Sequence, residues 1–143
     1  MVRINEQSHQ LVRALIDGGG GRSGILKEWA NLLKLPTYSP YSLSIGGLGG
    51  DSVQVSTRLV SATLESTTSE HQFGVVLPVI TSFGKLRPVT VPTNLWKSLA
   101  DKGYMMSDLP NYYKVPIGII LRLEYVGKVW LKMKKMITED LCI

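Results

Sequence analysis

From Asp51 to Glu65 the chain reads DSVQVSTRLVSATLE, and its apolar residues recur with a period of two. Val53, Val55, Thr57 and Leu59 fall on one side of a strand, and Gln54, Ser56 and Arg58 on the other. After Leu59 the phase passes to Val60, Ala62 and Leu64, which predicts a β-bulge. The next segment, HQFGVVLPVITSF, is apolar on both faces, as a covered strand is, and Pro78 within it predicts a sheet edge or a second bulge. GKLRPVTV then supplies a turn and a short strand.

Elsewhere the period changes. In INEQSHQLVRALIDGGGG, residues Ile4, Leu11, Val12, Leu15 and Ile16 fall near one helical face, and Gly18 suits a left-handed C-terminal position. In SGILKEWANLLKLP, Ser23 is the expected N-cap, Ile25, Trp29, Leu32 and Leu33 form a stripe, and Pro36 stops the helix. PTNLWKSLADKG predicts a third helix, with Thr93 as cap, Leu95, Trp96 and Leu99 inward, and Gly103 as stop. The expected fold class is therefore α+β: two N-terminal helices, then a twisted, mostly antiparallel sheet of about five strands with one inserted helix. The expected organisation is a single domain over 1–143, with a helical segment at 1–35, a flexible Pro/Tyr/Gly loop at 36–50 and a β-rich core at 51–143. The GGGG run reads as a hinge that lets the N-terminal arm bridge to another copy.

Hydrophobic residues make up 44% and charged residues 19% of 143, a globular composition. No apolar run reaches the roughly 18 residues that cross a bilayer, and MVRINEQSHQ has no secretory h-region. One cysteine, Cys142, and two histidines, His9 and His71, offer neither a disulfide framework nor a zinc pattern, so no metal or cofactor is expected and a reducing compartment fits. GGGGRSG lacks the Gly-Lys-Ser/Thr ending of a phosphate-binding P-loop, and no serine stands in a nucleophile elbow. The expectation is a protein that is not an enzyme.

The charge is concentrated. Residues 114–135 hold six basic groups and one acidic group, a surplus equal to the formal +5 of the whole chain. The segment VPIGIILRLEYVGKVWLKMKK reads as a hairpin turning at Val126-Gly127-Lys128. A two-residue loop would oppose Leu123 to Lys132; a three-residue loop opposes Leu123 to Leu131 and Leu121 to Met133 and is preferred, because it leaves one face wholly apolar. The other face then carries Arg122, Glu124, Trp130, Lys132 and Lys134. Either this is a solvated face whose lysines discourage aggregation, or it docks phosphate. In the second case the polyanion-binding set is Arg122, Lys128, Trp130, Lys132, Lys134 and Lys135, with the indole stacking on a base or resting at a headgroup. A further candidate is PTYSPYS, in which Pro36, Tyr38, Pro40 and Tyr41 form a segment that a partner domain could capture, or else a plain loop.

The stretch IGIILRLEYVGKVWLKMKK resembles the late hairpin of the matrix proteins of rhabdoviruses and related negative-strand RNA viruses, in which an aliphatic strand turns at a Gly-basic pair into a Val-Trp strand. The small, basic, cysteine-poor chain and its Pro/Tyr segment are also similar to that family, although SPYS and PTYS match neither of its usual proline motifs. The resemblance implies a structural protein of the virion and the host cytoplasm, located at the inner face of a membrane. Such a protein self-associates as a homo-oligomer, binds nucleocapsid RNA and bridges it to anionic membrane. The competing class is an RNA-binding module, such as a silencing suppressor or a small capsid protein.

Overall fold

The computed structural model describes residues 2–4, 10–19, 22–46, 52–67, 69–84, 92–104, 115–129, 136–138 and 141–142. Its strands are β1 (Val2–Ile4), β2 (Gln10–Ile16), β3 (Gly24–Leu26), β4 (Thr37–Gly46), β5 (Ser52–Ser66), β6 (Gln72–Ile80), β7 (Ile117–Leu121), β8 (Met136–Thr138) and β9 (Leu141–Cys142). The helices are α1 (Lys27–Leu32), α2 (Thr93–Asp101) and α3 (Leu123–Val129). Seven strands form one sheet in the order β1-β2-β7-β3-β6-β5-β4, while β8 and β9 pair with each other. Because β1 also pairs with β5, six of the seven close into a ring, leaving β4 as an appendage on β5.

Strand β5 organises this closure. One edge pairs with β6 from Leu59 to Glu65. The other is shared: β4 takes Ser52 to Val60 and β1 takes Leu64 to Ser66. The alternation read in the sequence serves the ring, since Val60, Ala62 and Leu64 are buried in it. The register shift lies in β4, between Thr37 and Pro40 opposite Arg58 to Val60, where the phase of β5 changes. Pro78 is buried in β6 opposite Leu59, one residue before the pairing with β3 begins, so its missing N–H falls on the part of the β6 edge that no described strand covers, in keeping with the expected sheet edge.

The expected α+β arrangement is overturned. There are no two N-terminal helices, and the sheet is larger and mixed: β2 and β3 run parallel to β7 and β6 respectively. QLVRALI fits both the helical and the strand period, as short apolar runs do. It becomes β2 because β1 and β7 pair with its two edges and bury Val12, leaving Leu11 and Ile16 exposed. The N-terminal segment is consequently no free arm, for Ile4 and Val12 are part of the core, and Gly20 and Gly21 of the expected hinge lie outside the described residues. The second expected helix is cut to six residues: Gly24–Leu26 is strand, and α1 ends where Lys34 takes a positive φ of 49°. The loop expected over 36–50 is strand β4 from Thr37 to Gly46. The third helix forms over Thr93–Asp101 as expected, with Leu99 buried and Gly103 at a φ of 79° after the last turn, but Thr93 is its first residue and not its cap: the N-cap is Pro92, with no side-chain capping bond.

The late hairpin is also corrected. β7 ends at Leu121, and Leu123 to Val129 is helix α3 rather than the turn of a hairpin. Leu121 is buried as expected, but Leu123 is 69% exposed. Leu131 and Met133 lie outside the described residues. The helical signal was present: Tyr125, Val126 and Val129 follow the i, i+1, i+4 pattern of a helix face.

The core gathers Ile4, Val12, Ile25, Leu64, Leu77, Ile119 and Leu121 inside the ring, with Ala30 and Leu33 brought up by α1. Trp29 is held over β7 by a glycine. A Cβ at Gly118 would stand 2.6 Å from the Trp29 ring and 2.7 Å from Val12 Cγ1. Gly118 is also the residue skipped by the β2–β7 register between Arg13 and Ala14. Gly118→Ala is expected to destabilise the protein by about 1–3 kcal/mol through overpacking. Gly74→Ala, with nothing within 4 Å, should be near neutral. Chemical denaturation midpoints of the two variants check this.

Candidate functional site

Helix α3 starts at the C-terminal end of the parallel pair β2–β7, and its start is bound by residues distant in sequence. The Arg122 N–H donates to Ser23 Oγ at 2.9 Å, and the Ser23 N–H donates to Glu124 Oε1 at 3.3 Å. This is the logic of a capping box with its serine supplied from another segment. Ser23, expected to cap a helix of its own, is 2% exposed and caps α3 instead. Burial raises the Glu124 pKa, but hydrogen bonds from the Ser23 hydroxyl and the amides of Glu124 and Ser23, together with the Arg122 charge, outweigh it and hold the carboxyl below its ordinary 4.5.

Arg122 binds in the other direction. Its guanidinium lies 3.3 Å from Asp17 Oδ2 and donates to the Gly19 carbonyl, while the Asp17 N–H donates to the Leu121 carbonyl at 2.8 Å. Asp17 Oδ1 in turn accepts the Gly19 N–H at 2.9 Å. The glycine-rich turn after β2 is thereby tied to the end of β7. The charge of Arg122 is engaged with Asp17, so of the expected polyanion-binding residues this one positions the chain.

The remainder of α3 covers a gap. β3 pairs with β6 only at Val79 and Ile80, which leaves the earlier part of that edge of β6 without a strand. The Tyr125 hydroxyl accepts the Val76 N–H at 2.9 Å and donates to the Val76 carbonyl at 3.0 Å, as a neighbouring strand would. His71 Nε2 lies 2.6 Å from the Lys128 carbonyl oxygen at the end of the helix. A carbonyl only accepts, so Nε2 carries the proton. Phe73 stands between His71 and Tyr125, at ring distances of 5.7 and 6.5 Å. Lys128 is exposed, with Nζ 5.5 Å from the Tyr125 ring.

Of the remaining basic candidates, Trp130, Lys132, Lys134 and Lys135 lie outside the described residues, as does His9. The partner-motif residues fall on or beside β4: Pro36 and Pro40 are exposed, Tyr38 is 68% exposed, and Tyr41 is half-buried beneath Arg22. Sequence reasoning missed Asp17, Ser23, Tyr125 and His71, since each acts on a partner far along the chain. Among the described residues no cluster of His, Cys, Asp and Glu could hold a metal, and no helix is long and apolar enough to cross a membrane. Comparison of the chain with protein-family models, with curated proteins and with solved structures finds no match.

Two variants probe this seam. Wild type should exceed Glu124→Gln in stability by a full margin above pH 4.5, and the margin should vanish as pH falls through the lowered pKa of the folded state. Thermal melts of both proteins across the acid range measure it. Tyr125→Phe removes both bonds to Val76 and should cost about 1–2 kcal/mol in denaturant titration, without a change in fold.

Proposed function

We propose that the protein is a non-enzymatic structural protein of the matrix kind, which self-associates and binds nucleocapsid RNA through a basic segment that begins on α3, with anionic membrane as its second surface. The observation that carries this reading is the contrast between an engaged Arg122 and an exposed Lys128. Arg122 is paired with Asp17, whereas Lys128 is exposed and stands at the head of a run that adds Lys132, Lys134 and Lys135 within seven residues. Glu124, the only acidic residue of 114–135, is held by Ser23 on the other side of the helix start. Lysines that are not neutralised by neighbours release counterions from phosphate, which gives binding that is strong at low salt and indifferent to base sequence.

The test is RNA binding at several salt concentrations, with anionic liposomes in parallel. Lys132→Ala with Lys134→Ala should weaken RNA binding and flatten the slope of log affinity against log salt by about two units, one for each lost phosphate contact. Arg122→Ala should leave that slope unchanged and instead lower stability by about 1–2 kcal/mol through the loss of Asp17 and Gly19 as partners. An RNA affinity untouched by the double lysine variant would leave the lysines as solubilising residues alone.

A further inference from the structure

We propose that the outer edge of β4 pairs with β4 of a second copy, in antiparallel register about a two-fold axis at Leu43. This rests on the self-association proposed above and names its surface. Beyond Leu59 toward the tip, β5 is paired by β4 alone, so Pro40–Gly46 and Ser52–Arg58 form a two-stranded ribbon that leaves the ring. β4 is the last strand of the sheet, and among the described residues no strand pairs with its other side.

Strand edges of this kind are ordinarily guarded by charge, lysine above all, because an unpaired row of N–H and C=O groups is a template for another strand. Here charge is absent, and the edge is interrupted only at its start, by Pro40 and the register shift before it. Between Lys34 and Arg58 the sequence contains one charged residue, Asp51, in a chain that is 19% charged overall. β4 itself carries none. Arg22 reaches β4 through the Tyr41 side chain, lying over its ring and donating to its hydroxyl, on a face of the ribbon and not along its edge. A net charge of +5 would oppose close approach of two copies elsewhere, but a neutral edge meets its own image without repulsion.

The register follows from proline. The β4–β5 pairing is regular from Pro40 opposite Arg58 to Gly46 opposite Ser52. Alternate residues of an antiparallel strand present their amides to the same edge. Pro40 has no N–H to give β5, so its position is one that faces outward, and Ser42 and Ser44 share that orientation. Both have exposed side chains. A two-fold axis at Leu43 sets Ser42 of one copy opposite Ser44 of the other, twice, and each pair exchanges two backbone hydrogen bonds.

Charge substitutions at these exposed serines test occupant and register together, by sedimentation velocity over a concentration series at low ionic strength, where exposed charges act. Ser42→Lys with Ser44→Lys places lysine opposite lysine and should weaken self-association by about tenfold or more. Ser42→Lys with Ser44→Glu places opposite charges together and should restore it to within about threefold of wild type. Ser44→Pro, which removes an outward donor, should give a monomer whose far-ultraviolet dichroism matches wild type. A wild-type chain that stays monomeric overturns both this surface and the self-association it rests on. An oligomer that ignores all three variants overturns the β4 edge alone, and equal weakening by the like-charged and opposite-charged pairs overturns the register about Leu43.

Discussion

A buried strand must pair both of its edges, because an amide removed from water without a partner costs more than most side-chain contacts return. In this protein that requirement falls on β5. It is fifteen residues long, and β4 and β1 divide one edge between them while β6 takes the other. The division is what closes the ring. Three residues of β1 are enough to join β2 to β5, and the core then forms inside.

The same requirement explains α3. β3 is too short to cover β6, and the strand that might have continued the sheet turns into a helix at Arg122. Tyr125 then supplies the donor and acceptor that the edge of Val76 needs. Holding the helix there takes a polar seam, with Ser23 capping its start, Arg122 bound to Asp17 and His71 bound to the Lys128 carbonyl in its last turn. Cations used in that seam are not available to a ligand. This is the distinction on which the proposed role depends: a basic count read along the chain includes Arg122, which is bound to Asp17, whereas Lys128 is exposed.

Much of the strand content was legible. The period of two in Asp51–Glu65 is β5, and the continuous apolar run after His71 is β6. α2 was legible from its stripe and Gly103. The ambiguous segments were those whose apolar residues satisfy two periods at once. QLVRALI and LEYVGKV are each seven residues, short enough for either structure, and they resolved in opposite directions. β2 had strands available on both sides, while α3 had a serine cap and an uncovered strand edge to fill.

What the sequence by itself determined is the set of quantities that are local or additive: the surplus of positive charge in 114–135, the lack of charge from Leu35 to Gln54 apart from Asp51, and two long strands, one set by alternation and one by a continuous apolar run. Tertiary structure alone decided how those residues are used. Whether Arg122 is free or engaged depends on Asp17, and whether Ser23 caps its own segment or α3 depends on how β3 is placed beside β7. Whether β4 is a loop or an exposed edge depends on β5 lying next to it. The first two are contacts between residues far apart in the chain and the third is a pairing with the next strand, and no local period records which group will arrive.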